Sequence, residues 1–210
     1  SPIPVPITST VIWLSALLCV ALLYAWRVRL TAAQAGWRVG GFRVIMHGLG
    51  WGALLGLGGV AWLRLLIRTG NYLPIPIIPT QQDWLLLVAL APLVEEIALR
   101  GVVLGSLLRN WHPVWAFILS AIVSMCCLPM EQWVAFVFVS SLGYAQSFRK
   151  SGSVVAPMIA HALVASVLIL ARLHPAAVGA LSSLVLWQGC GIAIALITLS
   201  TPPPWHEHLS

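Results

Sequence analysis

Charged side chains are scarce in this sequence: Asp, Glu, Lys and Arg make up 8% of the 210 residues, and hydrophobic residues make up 60%. A soluble domain carries about 25% charged residues. With a mean hydropathy of +0.97, the chain has too few polar groups to cover its apolar surface in water. The composition therefore excludes a soluble globular protein and predicts a polytopic membrane protein.

Acidic residues are rarer than basic ones, 5 against 11, which gives a formal net charge of +6. The basic residues stand at the ends of apolar runs and form no stripe, so membrane lipids are the expected partner and no nucleic-acid role is predicted. The four cysteines lie inside apolar runs, which argues against a disulfide framework. They are Cys19, Cys126, Cys127 and Cys190.

A membrane-spanning helix needs about 20 predominantly apolar residues, and the sequence offers seven such runs separated by short polar or Pro/Gly segments. We therefore predict an all-α, polytopic helical bundle of about seven transmembrane helices that forms one transmembrane domain over residues 1–210. The predicted spans are 9–28, 43–67, 82–108, 112–129, 131–148, 154–172 and 176–199.

The distribution of basic residues between the loops predicts the orientation, because cytoplasmic loops carry an excess of Lys and Arg. Seven basic residues fall on one side of the predicted bundle and three on the other. This bias favours an external N-terminus and a cytoplasmic C-terminus. The seven are Arg27, Arg29, Arg38, Arg43, Arg109, Arg149 and Lys150, against Arg64, Arg68 and Arg172.

The third predicted span contains three charged residues, Glu95, Glu96 and Arg100. Each charge at bilayer depth costs roughly 2.5 to 3.5 kcal/mol on insertion scales. Glu96 and Arg100 are four residues apart, so they share a helix face and can neutralise each other. Glu95 lies about 100° around the helix from Glu96 and is left for another partner. An ionisable residue within a membrane span is by default a candidate functional residue.

His161, near the centre of the sixth predicted span, is the strongest candidate partner for Glu95. In a site of low dielectric constant, the carboxylate could act as a base toward water while the imidazole donates to a developing oxyanion. The structural alternative is that His161 only forms a hydrogen bond between helices.

Two motifs resemble those of the CAAX-prenyl-endopeptidase-like (CPBP or ABI) family of intramembrane proteases. Glu95-Glu96-Ile-Ala-Leu-Arg100-Gly matches the family's Glu-Glu-x-x-x-Arg signature, and Arg149-Lys-Ser-Gly-Ser-Val-Val-Ala-Pro-Met-Ile-Ala-His161 resembles the approach to its last motif helix. The resemblance implies a CAAX-protease-like core over about 84–172. It also implies that Glu95 is the general base, that Glu96 and Arg100 support it, and that His161 stabilises the oxyanion.

The chain departs from the family pattern at two positions. The Phe-x-x-x-His motif of the following helix is replaced, with Val123 and Cys127 where Phe and His are usual, and Ala165 stands where the last motif has Asn. Cys127 could be a weak donor, a nucleophile or, with Glu95 and His161, a soft metal ligand. Packing of a buried thiol is the favoured interpretation, so a metal at Glu95, Cys127 and His161 is possible but not favoured, and the sequence identifies no cofactor.

Two functions from different classes follow. In the first, which the substitutions favour, the protein is catalytically degenerate and serves as a binding or assembly subunit of a larger membrane complex, with other membrane proteins as partners. In the second it is an active intramembrane endopeptidase in which Glu95 activates water toward a membrane-anchored peptide. A transporter with Glu95 as proton carrier is a weaker third possibility, because no internal repeat is visible.

Overall fold

The computed structural model describes residues 7–38, 41–70, 85–126, 133–174, 176, 178 and 183–200, and all of its regular secondary structure in these residues is helical. Helix α3 is a composite helix over residues 85–110. The other helices are α1 (Ile7–Arg27), α2 (Phe42–Arg68), α4 (Pro113–Cys126), α5 (Val134–Ser151), α6 (Val155–Leu173) and α7 (Ser183–Ser200).

These helices follow the order of the predicted spans, and the all-helical class is confirmed for the described residues. Two of them, α2 and α6, are long and apolar enough to cross a membrane by length and composition. A crossing by all seven, and the orientation of the termini, remain predictions. The proline-containing stretch 71–80, which the sequence places outside any helix, lies outside the described residues.

Helix α2 packs most extensively against α6 and also contacts α7 and α5. Three glycines at four-residue spacing, Gly48, Gly52 and Gly56, form the contact face. A Cβ atom on Gly48 would lie 2.6 Å from the carbonyl oxygen of Ala156, and one on Gly52 would lie 2.9 Å from the Cα atom of Ala160. The close neighbour that this spacing predicts is therefore a helix of the same chain. We call this contact the glycine seam.

Helix α3 alternates between π-helical and α-helical winding, with three changes along its length. It is π-helical over Leu85–Leu90 and Ile97–Leu104, with α-helical segments at Ala91–Glu96 and Gly105–Asn110. Pro92 lies near the start of the first α-helical segment but inside the composite helix, so its missing N–H removes one backbone hydrogen bond to the preceding π-helical turn. Glu95 and Glu96 thus end a short α-helical segment that is enclosed by π-helical turns, a feature often found at functional sites.

The connection between α5 and α6 fixes where α6 begins. Gly152 ends α5 in the left-handed region with φ of 63°, which glycine adopts at little cost. Ser153 then donates a hydrogen bond of 2.6 Å to the carbonyl oxygen of Arg38, and the amide of Val154 donates one of 3.0 Å to that of Gly36. These bonds tie the start of α6 to the loop after α1, which also contacts α3 at Gly101.

Candidate active site

Glu96 of α3 is fully buried. Its carboxylate forms the predicted ion pair with Arg100. The distance is 3.2 Å between Arg100 Nε and Glu96 Oε2, and 3.3 Å between Arg100 Nη1 and Glu96 Oε1. Arg100 also donates a hydrogen bond of 3.3 Å to the backbone carbonyl of Ser141 in α5. The pair therefore connects α3 to α5 as well as neutralising the two buried charges.

His161 reaches the same carboxylate from α6. Its Nδ1 atom lies 2.9 Å from Glu96 Oε1. An ionised carboxylate can only accept hydrogen bonds, so Nδ1 carries the proton and Nε2 points away from Glu96. Sequence reasoning paired His161 with Glu95 alone; it missed this contact, which makes Glu96 the shared partner of Arg100 and His161.

Glu95 lies on the other side of the imidazole. Its Oε2 atom is 3.9 Å from His161 Nε2, and its side chain is 15% exposed. This separation is too long for a direct hydrogen bond. If a water molecule lay at ordinary hydrogen-bond distance from both atoms, the angle at its oxygen between Glu95 Oε2 and His161 Nε2 would be about 90°. This angle is compatible with two simultaneous hydrogen bonds.

Tyr144 of α5 completes the set, and sequence reasoning did not identify it. Its ring stacks on the His161 imidazole, with centroids 5.0 Å apart and an interplanar angle of 18°. The Arg100 guanidinium carbon lies 5.2 Å from the centroid of the same tyrosine ring. No motif marks this residue; the only signal in the sequence is a ring with a polar end inside an apolar span. We call Glu95, Glu96, Arg100, Tyr144 and His161 the polar cluster.

The polar cluster borders a cavity of about 280 Å³ between α3, α5 and α6. Glu95 and His161 both line it, and Ala165, one helical turn after His161, contributes only a methyl group where the family pattern has an amide. The remaining wall is mainly apolar. Its other polar members are Arg100, Ser124, Ser140, Tyr144, Trp133 and Arg172.

From α4, the residue that lines this cavity is Ser124. Its hydroxyl donates a hydrogen bond of 2.9 Å to the carbonyl oxygen of Ser120 in its own helix. Val123, which the motif comparison assigns to the usual Phe position, is half-buried and does not line the cavity. Cys127, placed at the usual His position, lies outside the described residues.

A larger cavity of about 710 Å³ lies between α2 and α5 and is almost wholly apolar. It shares Phe136 with the smaller cavity but contains no ionisable side chain. Within the part of the chain that the structure describes, no three His, Cys, Asp or Glu side chains come together as a metal site. The soft-metal set considered above also includes Cys127, so the described residues do not test it.

Residues 80–167 match the family model described as type II CAAX prenyl endopeptidase Rce1-like. No curated protein and no solved structure matches the chain significantly. The matched segment contains all five residues of the polar cluster, and it agrees with the family that the two sequence motifs predict. The chain is therefore similar to the CAAX-prenyl-endopeptidase-like (CPBP) family over this segment, which is less than half of its length.

Proposed function

We propose that the protein is an intramembrane endopeptidase in which Glu95 activates a water molecule toward a peptide bond of a membrane-anchored substrate. The observation that carries this proposal is the gap of 3.9 Å between Glu95 Oε2 and His161 Nε2, two atoms of residues that line the same cavity. A carboxylate and an imidazole that face one space are the groups that general acid–base hydrolysis needs.

In the first step, the Glu95 carboxylate takes a proton from water as the water oxygen bonds to the scissile carbonyl carbon. The carbonyl electron pair moves to its oxygen, and the resulting oxyanion accepts a hydrogen bond from His161 Nε2–H. Glu95 then gives its proton to the amide nitrogen as the carbon–nitrogen bond breaks. The products are a carboxylic acid and an amine, and the Glu95 carboxylate is regenerated.

Donation by Nε2 requires a doubly protonated imidazole, and the surrounding charges support that form. Glu95 and Glu96 carry two negative charges and Arg100 carries one positive charge, so an imidazolium brings the buried group to neutrality. Glu96 accepts the Nδ1 proton at 2.9 Å, which orients the ring and stabilises its positive charge as the triad aspartate does in serine proteases.

A second candidate function, a catalytically degenerate binding or assembly subunit, is supported by Ala165. This residue lines the cavity beside His161 and offers no hydrogen-bond donor. Loss of one oxyanion donor typically costs about 100- to 1000-fold in rate. Together with the Cys127 substitution, this loss would leave a folded site that binds but hardly cleaves.

The test is cleavage of membrane-anchored peptides by the purified protein in lipid nanodiscs, with products identified by mass spectrometry. Glu95→Gln keeps the shape of the side chain and removes the base, so cleavage by the wild type that disappears in this variant supports the endopeptidase. Cleavage that survives Glu95→Gln contradicts the assigned base.

The paired substitution Cys127→His/Ala165→Asn separates the two candidates. It restores both family donors without touching the polar cluster. Activity that appears only in this variant identifies the natural chain as degenerate, and stoichiometric copurification of other membrane proteins would then support the assembly role. A wild type that already cleaves, with a modest gain on restoration, supports the endopeptidase.

A further inference from the structure

The orientation of the His161 ring needs an explanation beyond its hydrogen bond. The terminal torsion of a histidine side chain is broad, and one contact to Glu96 Oε1 leaves the imidazole plane free to tilt about that contact. Nε2 must nevertheless stay directed at the space beside Glu95. A second contact on the face of the ring would remove this freedom.

Tyr144 supplies such a contact. Its ring is nearly parallel to the imidazole, with an angle of 18° and a centroid distance of 5.0 Å. This distance lies within the range of offset-stacked rings. The tyrosine is itself only 4% exposed and has the Arg100 guanidinium over its ring.

Packing from α2 holds Tyr144 in place. Tyr144 belongs to a buried cluster with Leu55 of α2 and with Ala160 and Val164 of α6. The preceding residue is Gly143, where a Cβ atom would lie 2.9 Å from a methyl carbon of Leu55. The absence of a side chain at Gly143 lets α5 approach α2 closely enough for this cluster to form around the tyrosine ring.

We propose that Tyr144 is a positioning residue that fixes the plane of the His161 imidazole by stacking, so that Nδ1 stays on Glu96 and Nε2 stays directed at the gap beside Glu95. The role belongs to the ring of Tyr144 and does not require its hydroxyl group. The consequence for catalysis rests on the proposed endopeptidase function, whereas the consequence for the geometry of His161 does not.

The matched pair of variants is Tyr144→Phe, which keeps the ring, and Tyr144→Leu, which removes it. Tyr24 on α1, which is 46% exposed and far along the chain from the polar cluster, provides the control Tyr24→Leu. Size-exclusion chromatography and helical circular dichroism verify folding. Should Tyr144→Leu fail to fold, Tyr144→Met replaces it, because methionine fills irregular space.

The readout that does not need activity is the NMR signal of the proton on His161 Nδ1 in nanodiscs, assigned by its absence in His161→Gln. We expect this proton to be retained in the wild type, Tyr144→Phe and Tyr24→Leu. In Tyr144→Leu its exchange with solvent should be about 10-fold faster, the factor that corresponds to a ring contact of about 1.4 kcal/mol. Unchanged exchange in Tyr144→Leu overturns the proposal.

The kinetic readout uses the cleaved peptide. Loss of the ring should lower kcat by about 10- to 100-fold, as misplacement of a catalytic group does, with KM nearly unchanged, whereas Tyr144→Phe should retain the wild-type kcat. A Tyr144→Phe variant as impaired as Tyr144→Leu overturns the proposal by assigning the role to the hydroxyl.

Absence of cleavage in the wild type rejects the proposed function, and the NMR result then decides the role of Tyr144. If neither Tyr144→Leu nor Tyr144→Met folds, the test is made on Tyr144→Phe alone. Loss of the NMR signal of the His161 Nδ1 proton in that variant would overturn the proposal, because the variant keeps the ring.

Discussion

The glycine seam and the polar cluster both involve helix α6, and they contact it in different ways. At the seam, backbone atoms of α2 and α6 meet without intervening side chains at Gly48 and Gly52. At the cluster, His161 meets Glu96 through a hydrogen bond and Tyr144 through ring stacking. The seam fixes where the helix runs, and the cluster fixes where one ring of that helix points.

The glycine seam and the polar cluster should tolerate different kinds of substitution. A helix contact made by glycine has no side chain to rearrange, so any added atom must move a backbone. The cluster depends instead on charge balance, because removal of one partner of a buried ion pair leaves the other uncompensated. Substitutions in the two regions should therefore differ in how they divide their effects between stability and activity.

The largest effect is expected from Arg100→Leu. Glu96 is fully buried, and its charge would lose the guanidinium that neutralises it, at a cost of about 3 to 5 kcal/mol in the free energy of unfolding. The measurement is an SDS titration in mixed micelles followed by circular dichroism. A loss below 1 kcal/mol, which would be typical of an exposed pair, would show that the pair does not hold α3 against α5.

The double variant Glu96→Leu/Arg100→Leu is the matched control. Replacement of a whole buried ion pair by apolar residues is often neutral or stabilising by about 1 to 4 kcal/mol. We therefore expect recovery of most of the stability that Arg100→Leu loses. The same variant removes the carboxylate that accepts the hydrogen bond from His161 Nδ1, so peptide cleavage should be lost even though stability recovers.

The second largest effect is expected at the seam. A Cβ atom on Gly52 would lie 2.9 Å from both the Cα and the carbonyl oxygen of Ala160, one residue before His161. Overpacking of a tight contact costs about 1 to 3 kcal/mol, so Gly52→Ala should lower stability by this amount in the same titration. The displacement of α6 should also lower kcat.

Gly58→Ala is the control for that prediction. It stands on the same helix, and a Cβ atom there meets nothing within 4 Å. Alanine is a better helix former than glycine by up to about 1 kcal/mol, so this variant should be as stable as the wild type or slightly more stable. Equal destabilisation by the two substitutions would mean that glycine flexibility, and not close helix contact, is what α2 requires.

Sequence reasoning found the parts of this comparison that depend on spacing along one helix. The separation of Glu96 and Arg100 predicts their ion pair, and the spacing of the α2 glycines predicts a close neighbour. It could not identify that neighbour as α6, because small residues at regular spacing recur in several spans. It also missed the Glu96–His161 contact and the stacking of Tyr144, since both depend on how α3, α5 and α6 pack together.

A smaller effect is expected from Glu95→Gln. Glu95 is partly exposed to the cavity and has no direct hydrogen bond to His161, which lies 3.9 Å away. An isosteric amide should therefore change the free energy of unfolding by less than about 1 kcal/mol, while the proposed function requires loss of cleavage. A stability loss as large as that of Arg100→Leu would instead make Glu95 a structural residue of the polar cluster.

The smallest effect is expected from Ser124→Ala, which tests whether lining the cavity is enough to make a residue part of the site. The Ser124 hydroxyl already donates to the carbonyl oxygen of Ser120, so its proton is not directed at the space beside Glu95. A neutral hydrogen bond of this kind contributes only about 0.5 to 1.5 kcal/mol, and the helix retains its own backbone bonds without it. Stability and kcat should both stay close to the wild-type values.

A selective loss of kcat would instead make Ser124 the α4 donor that the family pattern assigns to histidine, and would extend the polar cluster from three helices to four.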